Sequence, residues 1–233
     1  MTVSAVLSLL NLASVGVFGI VLSAAFCDLE WTRQRKGILA VSTVLMLALQ
    51  AVVSLHWGTS LARYLYPVIT HLPLFLLLAV LTGKWLWPLV AVLTAYLCCQ
   101  LRRWAALLVI ALFPAGGTVL QDAMELLVTL PLLAALVRWC APSVRSLSHS
   151  PLSLQLQFGI IPLLSYAFDY FTRIYTDLLS SGNQAAVEFM PFVCSLAYLF
   201  FVLQTNRQQM LRSQLEQTQN SLNLQVAPVS YTH

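Results

Sequence analysis

Charge is what this chain has least of. Twelve Lys and Arg and eight Asp and Glu leave only 9% of its 233 residues charged. So few ionic groups cannot cover a water-facing surface on a chain that is 59% hydrophobic, with a mean hydropathy of +0.81. The solvent around it is therefore largely lipid. Motifs that carry chemistry are missing too. The chain has no HExxH, no CxxC and no Gly-rich nucleotide loop, the usual marks of zinc, thiol-redox and phosphate chemistry. Its Gly58-Thr59-Ser60 falls in a short turn and reads as that turn, because a serine hydrolase needs its serine and histidine facing each other. The basic residues form no stripe interleaved with aromatics, which argues against nucleic acid. No catalytic residue, metal ligand or cofactor is expected. Five cysteines, Cys27, Cys98, Cys99, Cys140 and Cys194, are odd in number and sit mostly inside apolar runs, so they read as small buried hydrophobes.

What is there in quantity is apolar sequence in lengths that suit a bilayer. A helix needs about 20 apolar residues to cross, and runs at 3–26, 37–57, 64–81, 87–101, 119–139, 155–178 and 187–204 predict an all-α, polytopic transmembrane bundle of seven spans. The fourth run is short. Arg102 and Arg103 follow it, and 104–113 is too short to cross alone, so a half-helix, re-entrant or lying at the outer surface, is expected before Pro114-Ala115-Gly116-Gly117. Short-loop basic residues set orientation. Arg33, Arg35 and Lys36, then Arg138 and Arg145, then Arg207 and Arg212 mark three cytoplasmic stretches, with the N-terminus outside. The first run has no basic residues before it and reads as an uncleaved span. Residues 1–204 form the bundle and 205–227 a cytoplasmic helix.

Ionisable residues inside spans are expensive, and each is a candidate functional group. Asp122 and Glu125 share a face at i, i+3, while Asp169 and Arg173 can pair at i, i+4. Glu188 opens the seventh span and Arg63 flanks the second outer turn. His71 lies about 10 Å into the third span at about 1.5 Å per residue, and Pro73 beside it predicts a kink. Under the expected topology these residues all occupy the outer half of the bundle, which points to an outward-facing ligand pocket. The competing reading makes Asp169–Arg173 a structural pair and Glu188 a wet helix end.

After the last span the chain turns polar without Gly or Pro. Leu211, Leu215, Thr218 and Leu222 step at heptad spacing, with glutamine, arginine and asparagine on the other faces. Two turns of seam make a weak coiled coil, which predicts a homodimer whose contact is cheap to shift. A helix lying flat on lipid would carry more basic residues than Arg207 and Arg212.

The bundle, the exit helix and three strings, Tyr66-Pro67-Val68-Ile69-Thr70-His71-Leu72-Pro73, Cys98-Cys99-Gln100-Leu101-Arg102-Arg103-Trp104 and Glu125-Leu126-Leu127-Val128-Thr129-Leu130-Pro131-Leu132, carry a resemblance. The chain resembles the membrane input module of a GHKL-type sensor histidine kinase, the group that includes peptide-pheromone receptors of Gram-positive bacteria. That resemblance implies a bacterial plasma membrane, an extracellular ligand such as a short peptide, and a signal leaving through the seventh span. ATP and a response regulator would meet only the kinase core of a longer parent. Pro228-Val229-Ser230-Tyr231-Thr232-His233 resembles the translation of a sequencing-library transposon end, so 228–233 is expected to be a non-native tail on a truncated, non-enzymatic fragment. The rival reading is a small transporter or ion pathway using Asp122, Glu125, Asp169 and Arg173; the lack of an evident internal repeat counts against it.

Overall fold

The computed structural model describes residues 3–112, 117–170 and 184–226. Among them the chain is all helical. In order come α1 (Val3–Phe26), α2 (Arg33–Trp57), α3 (Thr59–Tyr66), a π turn (Pro67–His71), α4 (Leu72–Thr82), α5 (Leu86–Leu112) and α6 (Gly117–Ala135). A second π turn (Leu136–Cys140), α7 (Ala141–Ser146), a 3-10 turn (Leu147–His149), α8 (Leu152–Tyr170) and α9 (Gln184–Val226) complete the path. Five stretches among the described residues are long and apolar enough to cross a membrane: Val6–Phe26, Arg33–Trp57, Tyr64–Thr82, Leu86–Val109 and Val119–His149. The chain is thus a helical membrane protein.

Local chemistry fixes the boundaries. α2 begins four residues before the expected start at 37, because the Thr32 hydroxyl caps it by accepting from the Arg35 N–H at 3.3 Å. Glu30, 3.3 Å from Arg35, offsets the basic residues crowded into that first turn. Gly58 ends α2 at φ 91°, and Gly83 ends α4 at φ 68° with its N–H on the Ala79 carbonyl. Both positions are left-handed, where glycine alone carries no Cβ penalty. Each π turn stands just before a proline, Pro73 or Pro142. A proline cannot donate to the carbonyl four residues back and its ring crowds that carbonyl, so the preceding turn widens. Where a kink was expected at Pro73, the chain stays helical and carries this wider turn.

The fourth span corrects the sequence reading. No half-helix begins at Trp104; α5 runs unbroken from Leu86 to Leu112, with Arg102 and Arg103 inside it. It is also the hub of the bundle, packed against α1, α4, α6, α8 and α9. Its apolar window is 56% buried, against 17–28% for the other four stretches. Phe18, Leu22 and Phe26 of α1, Leu78 of α4, Ala91 and Leu97 of α5, Phe158 of α8 and Tyr198 of α9 meet in the core. The outer face of α2, with Val41, Val44, Leu45, Leu49, Val52 and Leu55, is exposed, an apolar stripe suited to acyl chains rather than water.

Several basic stretches gather at one end of the bundle. Asp28 lies 2.7 Å from His149 and 3.9 Å from Arg145, the Lys84 ammonium donates to the Ser148 carbonyl, and the Trp87 indole donates to the Phe26 carbonyl. Asn206 joins that end by donating to Ser143 Oγ and accepting from the Ser146 hydroxyl, each at 3.1 Å. Cys27 and Cys98 are buried, and Cys99, Cys140 and Cys194 half-buried. In the loop after α1, burial pushes the Cys27 thiol up to about 12, with Lys84 pulling the other way, so it stays protonated and a poor nucleophile at neutral pH.

Candidate functional site

Two polar clusters lie inside the bundle. The first is built on Arg102, only 4% exposed. Its Nη2 donates to Glu125 Oε2 at 3.0 Å, and its Nη1 to Asn11 Oδ1 at 2.7 Å, Ser14 Oγ at 2.9 Å and Thr129 Oγ1 at 3.2 Å. The Asn11 amide in turn donates to Asp122 Oδ1 at 2.8 Å and Glu125 Oε2 at 2.9 Å, and Gln121 reaches the other Glu125 oxygen. Helical spacing explains the convergence. Asn11 and Ser14 are i, i+3 on α1, and Asp122, Glu125 and Thr129 lie along one face of α6, so α1 and α6 close on the central helix from two sides. A lone guanidinium or carboxylate here would be prohibitive; a pair with most of its remaining donors and acceptors engaged is tolerated, although Arg102 Nε has no partner.

The second cluster surrounds His71. Its Nδ1 sits 2.9 Å from the Tyr166 hydroxyl. The rings of Tyr66, Tyr96, Tyr166 and Tyr170 stand edge-on around the imidazole at centroid distances of 4.9, 5.2, 5.4 and 6.4 Å. Tyr96 donates to Asp169 Oδ2. α3, the π turn, α5 and α8 supply these side chains, and a cavity lies beside the histidine against α1.

Of the residues nominated from sequence, Asp122 and Glu125 do share a face and a partner. They join a network with an arginine that the sequence reading had spent as a span boundary. His71 and Asp169 meet in the second cluster, where Tyr96 bonds the aspartate. Arg173 and the 228–233 tail lie outside the described residues, as do the side chains of Arg63 and Glu188, whose backbones belong to α3 and α9. Asn11, Ser14, Arg102, Thr129 and the tyrosines were missed. One signal was available for Arg102: it lies ten residues before the end of α5 and Glu125 eight after the start of α6, so in adjacent antiparallel helices they reach the same depth. Among the described residues, no group of three or more His, Cys, Asp and Glu side chains is set to hold a metal ion.

Leu211, Leu215 and Leu222 stand 51%, 68% and 54% exposed on α9. This helix is one piece from Gln184 to Val226, 43 residues or about 65 Å. Inside the bundle the Ser195 hydroxyl donates to the Leu97 carbonyl at 2.8 Å and Tyr198 meets Thr94 at 3.3 Å, both on α5. No protein family matches the chain, and neither a curated protein nor a solved structure is significantly similar to it.

Proposed function

We propose that the chain is the membrane input module of a bacterial sensor histidine kinase of the GHKL type. In this reading it binds an extracellular ligand, such as a short peptide, and passes the signal through α9 to a kinase core on the cytoplasmic side. α8 and the first half of α9 add two crossings to the five apolar stretches, giving seven, and the end bearing Asp28, Arg145 and Asn206 faces the cytoplasm. The carrying observation is the continuity of α9. It is bonded to the hub helix within the bundle, held to α7 at Asn206, and then exposed along a leucine seam. A second copy of the chain covers that seam, and ligand biases the pair between two registers.

The experiment grafts residues 1–226 onto a histidine-kinase core and inserts one to seven residues at the junction. Autophosphorylation in membrane vesicles is expected to fall with two or three inserted residues and to return at seven, where heptad phase is restored. Output indifferent to insertion length sinks the reading. The rival, a small transporter or ion pathway, draws on the intramembrane Arg102, Glu125 and Asp122. Solute uptake by vesicles holding the purified chain, abolished by Glu125→Gln, favours it instead.

A further inference from the structure

The start of α2 carries more positive charge than the protein itself balances. Two carboxylates stand at that end, and both are engaged: Asp28 by His149 and Arg145, and Glu30 by Arg35. The Lys84 ammonium is spent on the Ser148 carbonyl. Arg33 and Lys36 are exposed, and among the described residues neither makes an ion pair.

Helical spacing sets these two cations at the head of an apolar face. Arg33 and Lys36 are i, i+3, and from Arg33 steps of four, four, three and four residues reach Gly37, Val41, Val44 and Ala48. Val41 and Val44 are 61% and 65% exposed, and Leu45, Leu49, Val52 and Leu55 continue the strip. The opposite face of α2, with Leu39, Met46, Gln50 and Val53, is the buried one. Arg35, two residues from Arg33, lies off the strip. The turn between the cations and the strip is open, since a Cβ on Gly37 would meet nothing within 4 Å. Tryptophans mark the level: Trp31, Trp85 and Trp139 are exposed, and each lies within two residues of Arg33, Lys84 or Arg138. Indoles settle where acyl chains meet headgroups.

We infer that this face of α2 binds an anionic phospholipid, with its phosphate between Arg33 and Lys36 and its acyl chains along Val41, Val44 and Leu45. Eight residues separate Arg33 from Val41, about 12 Å along the axis, so a headgroup held at the arginine leaves its chains beside the valines. A zwitterionic lipid brings its own cation to the same place, where Arg33 and Lys36 oppose it. A second copy of the chain, in the same orientation in the bilayer, would set both cations against their own counterparts. The site goes beyond the signalling proposal and needs only that the chain lies in a bilayer.

The test is native mass spectrometry of the full chain, released from nanodiscs of equal parts phosphatidylglycerol and phosphatidylcholine with identical acyl chains. Retained phosphatidylglycerol should outnumber retained phosphatidylcholine by about tenfold. Arg33→Gln with Lys36→Gln should cut that ratio about fivefold without lowering thermal stability, since neither side chain is buried or paired. Arg212→Gln, on the exposed length of α9, should leave the ratio as it is. Equal retention of the two lipids by the unaltered chain overturns the proposal, and that comparison needs no variant. So does a ratio unmoved by the double substitution, which puts the anionic lipid elsewhere on the protein. Efficient cross-linking of Leu45→Cys between chains in membranes would put a second copy on the strip and overturn it as well.

Discussion

The two intramembrane clusters solve the problem of burying polar groups in opposite ways. Around Arg102 the charges are real and nearly every acceptor is used: one guanidinium gathers Glu125, Asn11, Ser14 and Thr129 from two other helices. Around His71 the contacts are mostly aromatic edges, with a single carboxylate, Asp169, bonded by Tyr96. A network of several charge-assisted bonds holds helices in one arrangement, because any shift breaks several of them together, even though Arg102 Nε itself has no partner. The first therefore reads as the clamp among α1, α5 and α6, and the second as an aromatic cluster beside a cavity.

The sharpest way to break this contrast is to remove one charge. Arg102→Met leaves the buried Glu125 without its counter-charge, and unfolding in mixed micelles should show a loss of about 3–5 kcal/mol. Adding Glu125→Leu should recover at least half of it, since the stranded charge goes too; no recovery would mean that the arginine acts through packing rather than pairing. A smaller effect belongs to Asn11→Ala. It deletes two donated bonds and one accepted bond but leaves the Arg102–Glu125 pair in place, and about 1–3 kcal/mol is expected in the same assay. Tyr166→Phe removes the hydroxyl from His71 Nδ1 and should cost about 1 kcal/mol. A loss as large as that of Arg102→Met would erase the distinction between clamp and cavity. Least of all, Leu215→Cys should leave monomer stability unchanged. It should cross-link between chains in membranes more readily than cysteine at Glu216 or Gln217, since only the seam is covered in a dimer; equal cross-linking at the three positions removes the dimer.

How much of this was legible in the sequence follows from how far apart the deciding residues lie. The ends of α1 were readable from apolar length alone, and the break near Pro73 from a local rule about proline. Span four was misread because an Arg-Arg pair after fifteen apolar residues looks like a membrane edge, and what cancels Arg102 stands on another helix. Asp122 and Glu125 were correctly placed on one face. Their role changed once Asn11, more than a hundred residues earlier, was seen between them. The tyrosines around His71 come from three separate parts of the chain, and no spacing rule joins them.

The unbroken length of α9 has a mechanical consequence. From Asn206, where the helix is tied to α7, twenty residues run to Val226, about 30 Å of stiff rod. A tilt of about 10° around that tie sweeps the tip sideways through about 5 Å, close to half a helix diameter. Asn206 thus sits where a fulcrum would, and a small tilt at the bundle would arrive at the far end as a sideways shift of about half a helix diameter.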